Sequence, residues 1–135
     1  MGDKTIQVGD ELDIVAARQA GRELSRSLGF NIVDQTRITT AISELARNIV
    51  LYAGKGTITL RKVKEGDRFG IEITARDSGS GIDDVELAMQ DGYSTSNGLG
   101  AGLPGVRRLM DEFELKTAAG KGTTVRIVKW LKKNI

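Results

Sequence analysis

Two hairpins set the strongest limit on what this 135-residue chain can become. Thr57 to Val63 alternates apolar and polar side chains, Lys64-Glu65-Gly66-Asp67 turns the chain, and Phe69 to Arg76 returns. Glu114–Ala118, the turn Gly120-Lys121-Gly122 and Thr123–Trp130 repeat the design. Alternation over four to eight residues beside glycine turns reads as strand–turn–strand. Tight turns give antiparallel pairs, whereas parallel neighbours need a long crossover.

The remaining periodic segments supply the layer that must cover the sheet. Thr5–Val8 reads as a short strand with Ile6 and Val8 on one face. Asp10 is placed to cap a helix running to about Leu28, with Gly29 as its stop and a stripe of Leu12, Val15, Ala16, Ala20, Leu24 and Leu28. A second helix spans about Asp34 to Tyr52, its stripe Ile38, Ile42, Leu45, Ile49 and Tyr52 ending before Gly54 and Gly56. A third runs from about Leu103 to Glu112 with Pro104 in its first turn. A short helix is expected around Val85–Met89. The order β-α-α-β-β-loop-α-β-β predicts one α+β domain over residues 1–135, a two-layer α/β sandwich whose mixed, mostly antiparallel sheet is covered on one face by helices.

Composition narrows the chemistry. The chain has no cysteine and no histidine, which excludes thiolate and imidazole catalysis, a phosphohistidine relay and Cys-based metal sites. Any bound metal must be held by oxygen ligands, which favours a hard cation such as Mg²⁺. Aromatic residues are 4% of the chain, too few for a base-stacking track, and nucleic acid is not an expected partner. No apolar run approaches a membrane span and the N-terminus has no signal-peptide block, so the expectation is a cytoplasmic protein without a membrane partner.

The net charge of +2 is an average over unlike segments. Residues 1–76 hold 12 basic and 10 acidic side chains, and residues 107–135 hold 8 basic and 3 acidic. Between them, residues 77–106 carry Asp77, Asp83, Asp84, Glu86 and Asp91 with no Lys or Arg. That acidic stretch is also glycine-rich.

Familiar glycine motifs do not fit. Neither Gly-Lys pair is followed by Ser or Thr in a P-loop pattern. The match Gly100-x-Gly102-x-x-Gly105 follows a loop and not a strand, against a Rossmann reading. Three separated pieces remain. Glu44 and Asn48 share one helical ridge, which taken alone is either a solvated polar pair or a base beside a metal ligand. Asp77 ends a strand in phase with Ile71, Ile73 and Ala75, and is either a turn Asp or an acceptor for an amino group such as adenine's. Gly79 and Gly81 beside it leave room for a planar ligand. Gly98, Gly100 and Gly102 lead through Leu103 and Pro104 into a helix, either as a mobile lid or as a backbone cradle for phosphate. A triphosphate there would meet five carboxylates without a basic side chain, and so needs a divalent cation.

In this order and spacing the three boxes resemble the GHKL ATPase/kinase superfamily of gyrase, histidine kinases and MutL. The compact form resembles the bacterial anti-sigma-regulator serine/threonine kinases, most of all the stressosome switch kinases. The stretches that carry the likeness are Asp13–Arg18, Ile38–Ile49, Tyr52–Gly56, Gly92–Phe113 and Gly120–Thr124.

The resemblance implies ATP and Mg²⁺ as cofactors. It implies Glu44 as general base and Asn48 as the Mg²⁺ ligand. Asp77 would take the adenine amino group, with Gly79 and Gly81 shaping the pocket. Gly98, Gly100, Gly102 and Leu103 would lie at the phosphates, with Thr123 near adenine and residues Tyr93 to Leu99 as the lid. The implied partners are STAS-domain antagonist and co-scaffold proteins, phosphorylated on serine or threonine, and a PP2C-type phosphatase activated after release. The lid is short and lacks a basic residue, a departure from the sigma-binding members. The competing expectations are an ATP-binding anti-sigma factor and a nucleotide-gated interaction module with little catalysis.

Overall fold

The computed structural model describes residues 3–79, 102–118 and 120–132. The expected helix at Val85–Met89, the lid, Gly81, Gly98 and Gly100 fall outside them. Strand β1 (Lys4–Val8) is followed by helices α1 (Glu11–Leu28) and α2 (Ile32–Tyr52), then by β2 (Gly56–Glu65) and β3 (Arg68–Asp77). After residues 80–101 come α3 (Gly102–Leu109), β4 (Glu112–Ala118) and β5 (Gly122–Trp130).

Local chemistry sets the helix ends. The Asp10 carboxylate accepts from the Asp13 amide at 3.0 Å, and Asp13 reaches back to the Gly9 amide at 2.8 Å, a reciprocal cap. Gly29 closes α1 in the left-handed region at φ 97. Helix α2 begins two residues before the expected Asp34, because Asn31 accepts from the Asp34 amide at 2.8 Å and takes the cap. Helix α3 ends at Leu109, short of the expected Glu112, where the Lys129 ammonium donates to the Leu109 carbonyl at 3.1 Å. A cation at a helix C-terminus suits the macrodipole.

The sheet order is β1-β2-β3-β5-β4, and every neighbouring pair is antiparallel, so the expectation of a mixed sheet becomes one of a wholly antiparallel sheet among the described residues. The registers put Ile58, Leu60, Ile71, Ile73, Ala75, Val125 and Ile127 on the helix-covered face, all buried. Ile38, Ile42, Leu45 and Ile49 of α2 meet them, as their spacing predicts. Tyr52, counted in the same stripe, is 55% exposed at the helix end.

The stripe expected for α1 holds in its second half, where Ala20 is buried and Leu24 and Leu28 pack partly buried against the core, and is displaced in its first. Leu12 is 78% exposed and Val15 and Ala16 also face outward, while Ile14, Ala17, Ala20, Gly21 and Ser25 are buried. Small residues bring α1 close to α2, where a Cβ on Gly21 would collide with Cδ1 of Ile42. Close approach outweighs the side-chain hydrophobicity on which the stripe was based.

The uncovered sheet face is polar and ion-paired. Glu72 accepts from Arg61 and Arg126, each at 2.8 Å, and Arg126 also approaches Glu112 at 3.5 Å. The Glu72 hydrogen bond holds the Arg126 guanidinium pKa above its ordinary value. No helix among the described residues is long and apolar enough to cross a membrane.

The β4–β5 turn is tightly seated. Gly122 has φ 85, and a Cβ there would collide with the carbonyl oxygen of Asp77. Gly122→Ala is therefore expected to cost about 2–4 kcal/mol, combining left-handed strain with overpacking. Gly66 also has a positive φ, but open space lies around it. Gly66→Ala should cost about 1–2 kcal/mol. Urea unfolding of both variants checks the difference, and equal losses would contradict the seating of Gly122.

Candidate nucleotide site

Two turns and one helix end converge on the last residue of β3. Asp77 pairs with Gly56 of β2 on one side and Thr123 of β5 on the other. The flanking sequences Ala53-Gly-Lys-Gly-Thr57 and Ala119-Gly-Lys-Gly-Thr123 are identical. In each, the first glycine is left-handed, Gly54 at φ 83 and Gly120 at φ 76. The second glycine in each packs against β3 backbone, Gly56 against the Arg76 carbonyl and Gly122 against the Asp77 carbonyl. The repeat thus brackets the end of β3 from both sides.

Asp77 is half-buried, and its Oδ1 accepts from the Gly79 amide at 2.9 Å. Gly79 lies against the end of α2, where a Cβ would stand 2.8 Å from Cβ of Ala53. Asp77 is thus a turn residue, one of the two roles its position allows, with Oδ2 left over from this turn. Thr123 bonds to the Thr117 hydroxyl at 2.9 Å, tying β5 to β4 beside Asp77.

Glu44 and Asn48 lie one turn apart on α2. Glu44 is 1% exposed. Its Oε1 accepts from Nη1 of Arg47 at 2.9 Å, and its Oε2 is buried with no hydrogen-bond partner among the described residues. A buried carboxylate oxygen without a partner is costly. Asn48 is half-buried. The adjacent Ile49 approaches Gly56, the strand partner of Asp77, to within 3.0 Å of where its Cβ would be. The polar ridge of α2 and the end of β3 therefore share one end of the molecule.

Gly102 starts α3 at φ 73 and is buried, and Leu103 lies in the hydrophobic core with Val106 and Met110. Arg47 is a site neighbour that the motif reading misses, although its i,i+3 spacing from Glu44 is visible in the chain. Nothing in the local pattern points to Ala53 as the neighbour of Gly79.

Residues 33–134 match the model of the family described as histidine kinase-, DNA gyrase B-, and HSP90-like ATPase. The chain belongs to this ATPase family. Over 133 residues it is 57% identical to the serine/threonine-protein kinase RsbT of Bacillus subtilis (strain 168), covering 98% of this chain and all of that one. It is 34% identical over 124 residues to the anti-sigma F factor of Caldanaerobacter subterraneus subsp. tengcongensis, covering 87% of this chain and 85% of the relative. The fold recurs in a crystal structure of the RsbU and RsbW domains of a Mycobacterium tuberculosis protein, with a TM-score of 0.67 at 18% identity over 96% of this chain and 32% of that one. It recurs in the mycobacterial sensor histidine kinase MprB, with a TM-score of 0.55 at 15% identity over 96% and 97% of the two chains.

The GHKL resemblance and the α+β fold read from the motifs are borne out, and ATP binding follows from the family. The expected enzyme class, serine/threonine-protein kinase, is that of the RsbT relative, which matches 98% of this chain.

Asn48 is half-buried and stands outside the hydrophobic core cluster. Asn48→Ala is expected to change unfolding free energy by less than about 1 kcal/mol, measured by urea denaturation. A larger loss would mean that Asn48 is held for structure.

Proposed function

We propose that this chain is an ATP- and Mg²⁺-dependent protein serine/threonine kinase acting on STAS-domain antagonist and co-scaffold proteins in a partner-switching stress response. Once released from them, it activates a PP2C-type phosphatase, and its proposed setting is the cytoplasm. Neither nucleic acid nor membrane is part of this reading. The observation that carries it is Oε2 of Glu44, a buried acceptor without a partner among the described residues and one turn from Asn48 in an ATPase-family chain.

The donor set fits a hard cation and a nucleotide. Asn48 offers an amide oxygen and would hold Mg²⁺, which when bound neutralises phosphate charge. Asp77 offers its carboxylate to the adenine amino group, with Gly79 and Gly81 leaving space beside it. Thr123 lies across from Asp77 as a further polar contact. Gly98, Gly100 and Gly102 are proposed for the phosphates. Leu103, next in sequence, is buried, so it anchors their helix and does not serve as a polar contact.

In the transfer, the acceptor hydroxyl oxygen bonds to the γ-phosphorus and the bond to the β–γ bridging oxygen breaks. ADP leaves, and the hydroxyl proton passes to Glu44 Oε2. Phosphoryl transfer asks a protein mainly for positioning and charge stabilisation, so a carboxylate base suffices in a chain without histidine.

A second reading is favoured by the 34%-identical anti-sigma F factor: sequestration of a sigma factor with ATP setting conformation. Labelled ATP incubated with a panel of STAS-domain proteins, with and without Mg²⁺, separates the two. Mg²⁺-dependent labelling of a STAS serine or threonine is expected. Tight ATP binding without transfer to any of them, together with co-purification of a sigma factor, would favour sequestration.

Two variants test the residue roles. Glu44→Gln should keep ATP affinity and lower transfer by about 100-fold or more, read from initial rates of phosphoprotein formation. Unimpaired transfer would remove Glu44 as base. Asp77→Asn should weaken ATP binding by about tenfold or more, read by calorimetry. Unchanged affinity would take Asp77 out of the adenine site.

A further inference from the structure

We infer that Arg47 is a positioning residue for Glu44, fixing which carboxylate oxygen is left to accept the proton. The inference rests on the reading of Glu44 as the base. Glu44, Arg47 and Asn48 occupy positions i, i+3 and i+4 of α2, so the carboxylate has a cation and an amide as neighbours on the following turn. The Arg47 side chain is 30% exposed, while that of Glu44 is 1% exposed. The pair therefore spans the boundary between core and solvent, and the guanidinium reaches inward to hold Oε1 at 2.9 Å.

The terminal torsion of a glutamate is broad and nearly two-fold, so an unheld carboxylate has no preferred oxygen. A guanidinium bonded to one oxygen restrains that torsion and so biases where the other oxygen points. Here the other is Oε2, buried and without a partner among the described residues. A buried carboxylate also gains from a cation beside it, and the Arg47 guanidinium stands at 2.9 Å from Oε1.

An internal comparison sets this pair apart from an ordinary helix ion pair. Asp34 is also buried and pairs with Arg37 at i,i+3 over the same 2.9 Å. Among the described residues Asp34 has no fully buried oxygen without a partner, whereas Glu44 has Oε2. Only the second pair therefore keeps a fully buried carboxylate oxygen that a group brought to Oε2 would satisfy.

The test uses the full chain, labelled ATP and the STAS-domain acceptor that gives transfer in the assay above. Arg47→Gln should lower kcat by about 10–100-fold, the usual cost of losing a residue that orients a functional group. Its KM and calorimetric Kd for ATP should stay within about twofold of the parent. Arg47→Lys keeps the charge but not the planar fork, and its kcat should fall less. Because the lysine variant retains the counter-charge, it carries the same test if Arg47→Gln melts early. Arg37→Gln should leave kcat unchanged. In a Glu44→Gln background, Arg47→Gln should add no further loss, because nothing remains for it to position.

A parental kcat in both Arg47 variants would overturn the inference. So would a loss of ATP affinity matching the loss of rate, which would make Arg47 a phosphate contact, or a further fall in the double variant. A fully active Glu44→Gln would instead remove the base itself, and the inference with it.

Discussion

Because α2 buries Ile38, Ile42, Leu45 and Ile49 against the sheet along its length, its polar end cannot move without opening the core. Truncating any one such residue to alanine removes about 2–5 kcal/mol, a large part of the stability of a domain this size. That anchorage is what holds in place a Glu44 carboxylate oxygen that is buried and without a partner among the described residues. A looser helix would let the carboxylate turn to water. The apolar seating and the polar ridge are two sides of one helix, so the precision of the candidate site is supplied by packing.

The end of β3 is held by a different device. Its last residue has a strand neighbour on each side, and both neighbours enter from turns of the same Ala-Gly-Lys-Gly-Thr sequence. A common geometric requirement explains the likeness. Each turn must reverse at a left-handed glycine and then pass a carbonyl of β3 too closely for a side chain. Asp77 thus projects from the middle of a paired sheet. An acceptor mounted there keeps its direction better than one on a free loop.

How much was legible follows from what each pattern measures. The four-three spacing of α2 reports burial directly, because large aliphatic side chains fill the space it faces. In α1 the buried face is Ile14 together with Ala17, Ala20, Gly21 and Ser25, and the value of these last four lies in being small. Periodicity of hydrophobic side chains cannot see that, and it selects the exposed Leu12 and Val15. Hairpin positions are readable to within two residues, since alternation and turn glycines act locally. Of the candidate site, Glu44, Asn48 and Asp77 can be nominated from position in their elements. The Glu44–Arg47 pair, the contact of Gly79 with Ala53 and the bracketing of Asp77 cannot, because they depend on how elements meet. Gly81, Gly98 and Gly100 keep only their sequence argument.

At the far end of β5 from Thr123, the chain's one tryptophan sits in a cage of its own. The Arg68 guanidinium lies 3.9 Å above the Trp130 ring, and the indole N–H donates to Glu112 at 2.7 Å. Seven residues of strand put it about 23 Å from the Asp77 end. Its fluorescence is therefore an optical signal of sheet integrity that is spatially separate from the nucleotide end. Melting curves recorded through it can be compared across active-end variants without the probe itself being part of what was changed.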